Sequence, residues 1–176
     1  MRRAVFLDRD GVINRAYLRQ GIPHPPANLG EVEILHGVPE ALAALQGAGF
    51  LLIVVTNQPD VARGATLLET VRGINGYLAG LFPITEFRSC YHDDIDDCAC
   101  RKPRPGAILA AAETHGIDLT RSYMVGDRWR DIEAGRRAGC RTIFLDYGYT
   151  EKQPESMDHV TRSLEEAARI ILGALP

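Results

Sequence analysis

Residues 4–14 read Ala-Val-Phe-Leu-Asp-Arg-Asp-Gly-Val-Ile-Asn. Ala4 to Leu7 is an apolar run of the length of a buried strand, and it ends abruptly in two acids. Side chains alternate along a strand, so Asp8 and Asp10 are expected to lean to one side while Arg9 points elsewhere. Gly11 lets the backbone turn sharply behind them. Two carboxylates this close repel unless a cation lies between them, and magnesium, which favours oxygen ligands, suits the place. An isolated Asp-x-Asp is also compatible with a turn carrying two solvated acids. The rest of the chain has to decide between these.

Further apolar runs follow, each ending in polar residues. Gly37-Val38-Pro39 opens an amphipathic helix that Gly49 ends, and Phe50 to Val55 is a second fully apolar strand ending in Thr56-Asn57-Gln58. Thr66 is placed to cap a helix running to about Leu81, which carries three internal glycines. Phe87 to Tyr91 reads as a short strand, Ala107 to His115 as a helix ended by Gly116, and Tyr123 to Val125 as a strand stopping at Gly126-Asp127. A helix from near Asp131 to Gly139, strands at Thr142 to Leu145 and around Val160, and a capped helix from Ser163 to Leu175 complete the chain. Arg15 to Leu35, polar and rich in proline, reads as a loop forming one wall of a site. Strands alternating with helices, several of them apolar throughout, predict a parallel sheet covered on both faces, as a single domain over residues 1–176.

Composition narrows the class. With 45% hydrophobic and 24% charged residues among 176, the chain has the make-up of a soluble globular protein large enough to bury a core. A net charge of -3 gives no general reason to expect nucleic acid or an anionic membrane as a partner. The N-terminal Met-Arg-Arg leads straight into the first strand, so a cytoplasmic protein is expected. Four cysteines in such a setting read as metal ligands or free thiols.

Parallel sheets bind ligands beyond the carboxyl ends of their strands. Asp8 and Asp10 stand at one such end, Thr56 and Asn57 at another, Asp127 and Asp131 at a third, and Lys102 opens the helix between the last two. Together they compose a magnesium phosphoryl-transfer site. Asp8 is the expected nucleophile and Asp10 the acid and base. Asp127 completes the metal site, while Thr56 and Lys102 hold the non-bridging oxygens.

The order Asp8-x-Asp10, Thr56, Lys102 and Gly126-Asp127-x-x-x-Asp131 resembles the four motifs of the haloacid-dehalogenase (HAD) superfamily of phosphatases. The resemblance implies an α/β three-layer sandwich around a Rossmann-type parallel sheet. It also implies magnesium held by the Asp8 side chain, the Asp10 backbone carbonyl and Asp127, with Asp131 supporting. Leu7 to Asn14, Thr56-Asn57-Gln58 with Ala62-Arg63-Gly64, and Cys98-Ala99-Cys100-Arg101-Lys102-Pro103 are similar to the branch holding the heptose-bisphosphate and histidinol-phosphate phosphatases. That branch carries a structural zinc on Cys-x-His and Cys-x-Cys, matched here by Cys90, His92, Cys98 and Cys100, a spacing that can close a tetrahedral site.

No second folding unit interrupts the motifs, so the site is expected to be capless, with the small zinc loop as a partial lid. The implied function is hydrolysis of a phosphate monoester of a small sugar bisphosphate, first the 7-phosphate of D-glycero-D-manno-heptose 1,7-bisphosphate, by a monomer. Asn57, Gln58, Arg63, Arg101 and Arg128 are the candidate substrate-binding residues, with Arg101 first among the arginines for a second anionic group. Pro59-Asp60 after Thr-Asn-Gln, Arg128 after Asp127 and the length of the Arg15 to Leu35 loop depart from the branch and leave another sugar phosphate open. Histidinol phosphate would need an acid such as Asp93 or Asp94 in the mouth. A polynucleotide 3'-phosphatase would need a basic face, and a zinc-stapled binding module would have no use for the full charge set.

Overall fold

The structure is a computed structural model that describes residues 1–174. Its elements in chain order are β1 (Arg3–Leu7), β2 (Tyr17–Arg19), β3 (Ile22–His24), α1 (Val38–Gly47), β4 (Phe50–Asn57), α2 (Leu68–Leu81) and β5 (Glu86–Cys90). They continue with α3 (Gly106–His115), β6 (Tyr123–Gly126), α4 (Trp129–Ala138), β7 (Arg141–Leu145), β8 (His159–Thr161) and α5 (Leu164–Gly173). Six strands form one sheet in the order β5-β4-β1-β6-β7-β8, and every pairing is parallel. β1 therefore lies between β4 and β6, which brings the three polar strand ends side by side.

Alternation along β1 sorts its side chains between two cores. Val5 and Leu7 join Leu42 and Leu45 of α1, Ile74 and Leu78 of α2, and Ala168 and Ile171 of α5. Ala4 and Phe6 face the other way, onto Ile108 and Ala111 of α3 and Ala134 and Ala138 of α4. Both faces of the sheet are thus covered, the environment in which a strand must be apolar throughout. No helix among the described residues is long and apolar enough to cross a membrane.

Two local expectations are corrected. The Arg15 to Leu35 stretch is not a plain loop: β2 and β3 form an antiparallel hairpin separate from the main sheet, and a 3-10 turn follows at Leu29–Glu31. Gln20 and Gly21 both have positive φ, 53° and 77°, the conformation that suits a tight two-residue hairpin turn. Thr66 does not cap α2, which starts after Leu67 without a side-chain cap; the backbone N–H groups of Ala65 and Thr66 bond to Asp60 O in the turn before it. Gly73, Gly76 and Gly80 face open space on the outer side of that helix, so they weaken it without breaking it. At α5 the Ser163 hydroxyl accepts from Glu166 N at 3.1 Å, but the Glu166 carboxylate accepts from Arg162 N, one residue ahead of the cap. The expected end at Leu175 lies outside the described residues.

Candidate active site

Asp8 leaves β1 with its backbone N–H still bonded to Val125 O of β6 at 3.0 Å. The chain then turns so tightly that Arg9 O accepts from the backbone N–H groups of Val12, Ile13 and Asn14. Gly11 sits at φ 91°, and a Cβ there would lie 1.9 Å from Asp127 Oδ2. Gly126 is required for the same kind of reason, since a Cβ on it would come within 2.1 Å of the Asp131 Cβ. The first approach presses the turn after β1 against the end of β6, and the second presses the end of β6 against the first turn of α4.

The expected acids and lysine converge. Lys102 Nζ donates to Asp8 Oδ1 at 2.9 Å, reaches Asp131 Oδ1 at 2.6 Å and also donates to Val55 O at 2.6 Å. Burial alone would pull the Lys102 ammonium down, but Asp131 and Asp8 outweigh it and hold its pKa above the ordinary value. Asp8, Asp127 and Asp131 each place a carboxylate oxygen within 4.8 Å of the others. Burial and then Asp131 push Asp8 up to about 6, even though Lys102 pulls the other way. Burial and Asp8 likewise raise Asp127 well above the carboxylate range. One ammonium does not balance three buried carboxylates, and Asp127 Oδ1 is buried with no hydrogen-bond partner. A hard oxygen-seeking divalent cation fits that donor set.

Asp10 is held differently from Asp8. Its carboxylate accepts from Arg9 Nε and Nη2, both at 3.1 Å, from Asn14 Nδ2 at 2.9 Å and from Gln58 Nε2 at 2.8 Å. The expectation that Arg9 points away from the acids is therefore corrected. Arg9 is fully buried, binds Asp10 on one side and Asn75 Oδ1 on the other, and neutralises the Asp10 carboxylate without touching Asp8. Nothing in the sequence marks it as buried, since its partner Asn75 lies 66 positions away.

The Thr56-Asn57-Gln58 run shapes the site from below. Gln58 Nε2 also donates to Thr56 Oγ1 at 2.9 Å, which occupies an acceptor position and leaves the threonine proton free to point elsewhere. Asn57 clamps the Lys102 backbone, its Nδ2 donating to Lys102 O at 3.0 Å and its Oδ1 accepting from Lys102 N at 3.1 Å. Of the arginines, Arg63 is half exposed and bidentate on Asp93, and Arg128 is bidentate on Glu151 beside Asp127. Arg101 Nε donates to Asp94 at 2.8 Å, while its Nη1 is buried without a partner. The Arg63 hydrogen bond holds Asp93 down at about 2, and Arg101 lowers Asp94 in the same way. Both acids that a cationic substrate would need in the mouth are thus committed to arginines.

A cleft over the acids is lined by Asp8, Asp10, Lys102 and Asp131 on its floor, by Arg128 and Arg130, and by Pro23 and His24 of the hairpin. The hairpin is thus one wall of the site, as expected of its segment. Arg130 and His24 were not singled out from sequence, since neither lies in a motif and only the folded hairpin brings His24 across.

Cys90, His92, Cys98 and Cys100 gather at the end of β5, their ligand atoms all within 4.8 Å of one another. Cys90 Sγ lies 3.1 Å from Cys100 Sγ and 3.6 Å from Cys98 Sγ, and His92 Nδ1 lies 3.4 Å from Cys100 Sγ. Ligands about 2.3 Å from a shared zinc stand roughly 3.7 Å apart at tetrahedral angles, so this donor set fits zinc. Burial opposes ionisation of all three thiols and raises Cys90 and Cys100, whereas hydrogen bonding from Cys100 and from backbone N–H groups holds the Cys98 thiol down at about 7.

The HAD-hydrolase-like family model matches residues 99–167. The D-glycero-beta-D-manno-heptose-1,7-bisphosphate 7-phosphatase of Pasteurella multocida is 32% identical, covering 98% of both chains. The enzyme of the same name from Helicobacter pylori J99 is 35% identical over 88% of both. Among solved structures, the D,D-heptose 1,7-bisphosphate phosphatase of B. bronchiseptica, complexed with magnesium and phosphate, superposes with a TM-score of 0.84 at 29% identity, covering 98% of this chain and 99% of that one. Identity of 32% to 38% over four fifths or more of the chain, with a superposition that covers nearly all of it, places the chain among its relatives: it belongs to the D-glycero-beta-D-manno-heptose-1,7-bisphosphate 7-phosphatase family of HAD-like hydrolases.

Proposed function

We propose that this protein is a phosphoric monoester hydrolase that removes the 7-phosphate of D-glycero-beta-D-manno-heptose 1,7-bisphosphate by way of an aspartyl phosphate on Asp8. The observation that carries the chemistry is the Lys102 ammonium bridging Asp8 and Asp131 beneath the cleft, beside the unpartnered oxygen of Asp127. Family membership supplies the sugar.

In the first step an Asp8 oxygen attacks phosphorus, the phosphorus–oxygen bond to the sugar breaks, and Asp10 gives its proton to the departing sugar oxygen. In the second, Asp10 takes a proton from water, the water oxygen attacks phosphorus, and the bond to Asp8 breaks to release phosphate. Arg9, Asn14 and Gln58 keep the Asp10 carboxylate from rotating, so one group serves both steps. Lys102 and the Thr56 hydroxyl meet the phosphoryl oxygens, where charge gathers. Asp8, Asp127 and the Asp10 backbone carbonyl, with Asp131 in support, would hold magnesium, whose charge would offset that of the phosphoryl group. Zinc on Cys90, His92, Cys98 and Cys100 would be structural, fixing the segment that carries Arg101 and Lys102. Arg101 is the favoured contact for the second phosphate, and Arg63 and Arg128 would have to leave Asp93 and Glu151 to join it.

The test is phosphate release, with magnesium, from heptose 1,7-bisphosphate anomers, fructose 1,6-bisphosphate, histidinol phosphate and a 3'-phosphorylated oligonucleotide, using Asp8→Asn as control. Asp8-dependent preference for the heptose bisphosphate is expected. Preference for histidinol phosphate or the oligonucleotide would keep the mechanism and reject the substrate.

A further inference from the structure

After β7 the chain runs back across the active site, and residues 146–153 are tied down along their length. Tyr147 Oη donates to Gly11 O at 2.9 Å, and Tyr149 Oη donates to Asp127 Oδ2 at 2.9 Å. The Thr150 hydroxyl donates to Gly21 O in the hairpin turn at 3.3 Å, and Glu151 holds Arg128. Gln153 Nε2 donates to Tyr149 O at 3.2 Å, fixing the backbone of the residue that reaches Asp127. The two tyrosine rings lie 5.7 Å apart, so each limits the motion of the other.

Asp127 has two oxygens. Gly11 stands so close to Oδ2 that no side chain fits between them, Tyr149 supplies the only side-chain hydrogen bond to that oxygen among the described residues, and Oδ1 is buried without a partner. A carboxylate free to rotate about its last bond offers a cation either oxygen in changing directions. One pinned through Oδ2 presents Oδ1 in a single direction. Groups that orient a metal-binding side chain typically alter affinity by about 10–100-fold.

We propose that Tyr149 is a positioning residue for magnesium: its hydroxyl fixes the Asp127 carboxylate through Oδ2 and leaves the unpartnered Oδ1 for the cation. This rests on the reading of Asp127 as a magnesium ligand. The phenol touches no reacting atom, and nothing in the Thr56-Asn57-Gln58 or Asp-x-Asp runs announces it.

The experiment is calorimetric titration of magnesium alone into the zinc-loaded, magnesium-free protein, comparing the parent, Tyr149→Phe and Asp127→Ala. Tyr149→Phe removes one oxygen from a half-buried ring on a surface segment and should fold as the parent does, which an unchanged magnesium-free melting temperature would establish. Its dissociation constant for magnesium should rise about tenfold, and excess magnesium should restore kcat without moving KM for the sugar bisphosphate. Asp127→Ala should lose binding. If Asp127→Ala loses binding while Tyr149→Phe stays within twofold of the parent, the role of Tyr149 is overturned and the metal site stands. If Asp127→Ala binds as the parent does, the metal site reading falls and the inference falls with it.

Discussion

Asp8 is asked to be an anion in a place that disfavours anions. Burial and Asp131 lift its carboxyl from 3.8 to about 6. The folded, metal-free protein therefore binds this proton more tightly than the unfolded chain does. Between pH 3.8 and 6 the folded state holds more protons, so the contribution of Asp8 to stability falls as pH rises through that window and stays low above it. Asp8→Asn removes the charge and should stabilise the metal-free fold at pH 7.5 by about 3 kcal/mol while abolishing turnover. Melting curves across pH check this, and the gap between variant and parent should close near pH 4. Arg9 has the opposite sign. Arg9→Met would leave the Asp10 carboxylate without its guanidinium and Asn75 Oδ1 without a donor, and should cost about 3–5 kcal/mol in urea unfolding. Asp8, Lys102 and Asp127 were legible from sequence because their positions at strand and helix ends follow from the apolar runs before them. Arg9 and Tyr149 were not, since the part each plays is fixed by partners 66 and 22 positions away.

At the scale of elements, the inner strands of the central sheet were readable because burial on both faces makes them largely apolar, as in Leu52 to Val55. The hairpin escaped notice for the converse reason. β2 and β3 lie outside the main sheet and carry exposed Leu18 and Ile22, with Pro23 inside the second strand, so neither alternation nor a continuous apolar run marks them. Its turn also uses a non-glycine residue, Gln20, at positive φ, which composition does not signal. The cysteine loop is a different kind of element, held by side chains more than by backbone pairing. Cys100 lies two residues before Lys102, whose own backbone is clamped by Asn57. Stripping zinc with a chelator should lower the melting temperature and accelerate amide exchange in residues 90–104 at least tenfold, sparing the amides of β1 and β6. Unaltered exchange there would mean that the loop is fixed by other contacts.

At the scale of the whole molecule, the active site is a product of the strand order. β1, β4 and β6 are neighbours, so their polar ends converge although they are distant in sequence: Lys102 and Asp8 are 94 positions apart. The four residues of the cysteine loop, by contrast, span only ten positions from Cys90 to Cys100. Chain entropy alone makes the longer closure costlier by about 2 kcal/mol. The two metal centres should therefore mature at different times. Zinc can seize its ligands in a chain that has no sheet yet, whereas magnesium has to wait until β6 has docked against β1. In refolding, cobalt absorption at the cysteine loop should precede magnesium-dependent phosphatase activity, which makes the first metal a scaffold for assembly and the second a certificate that assembly is complete.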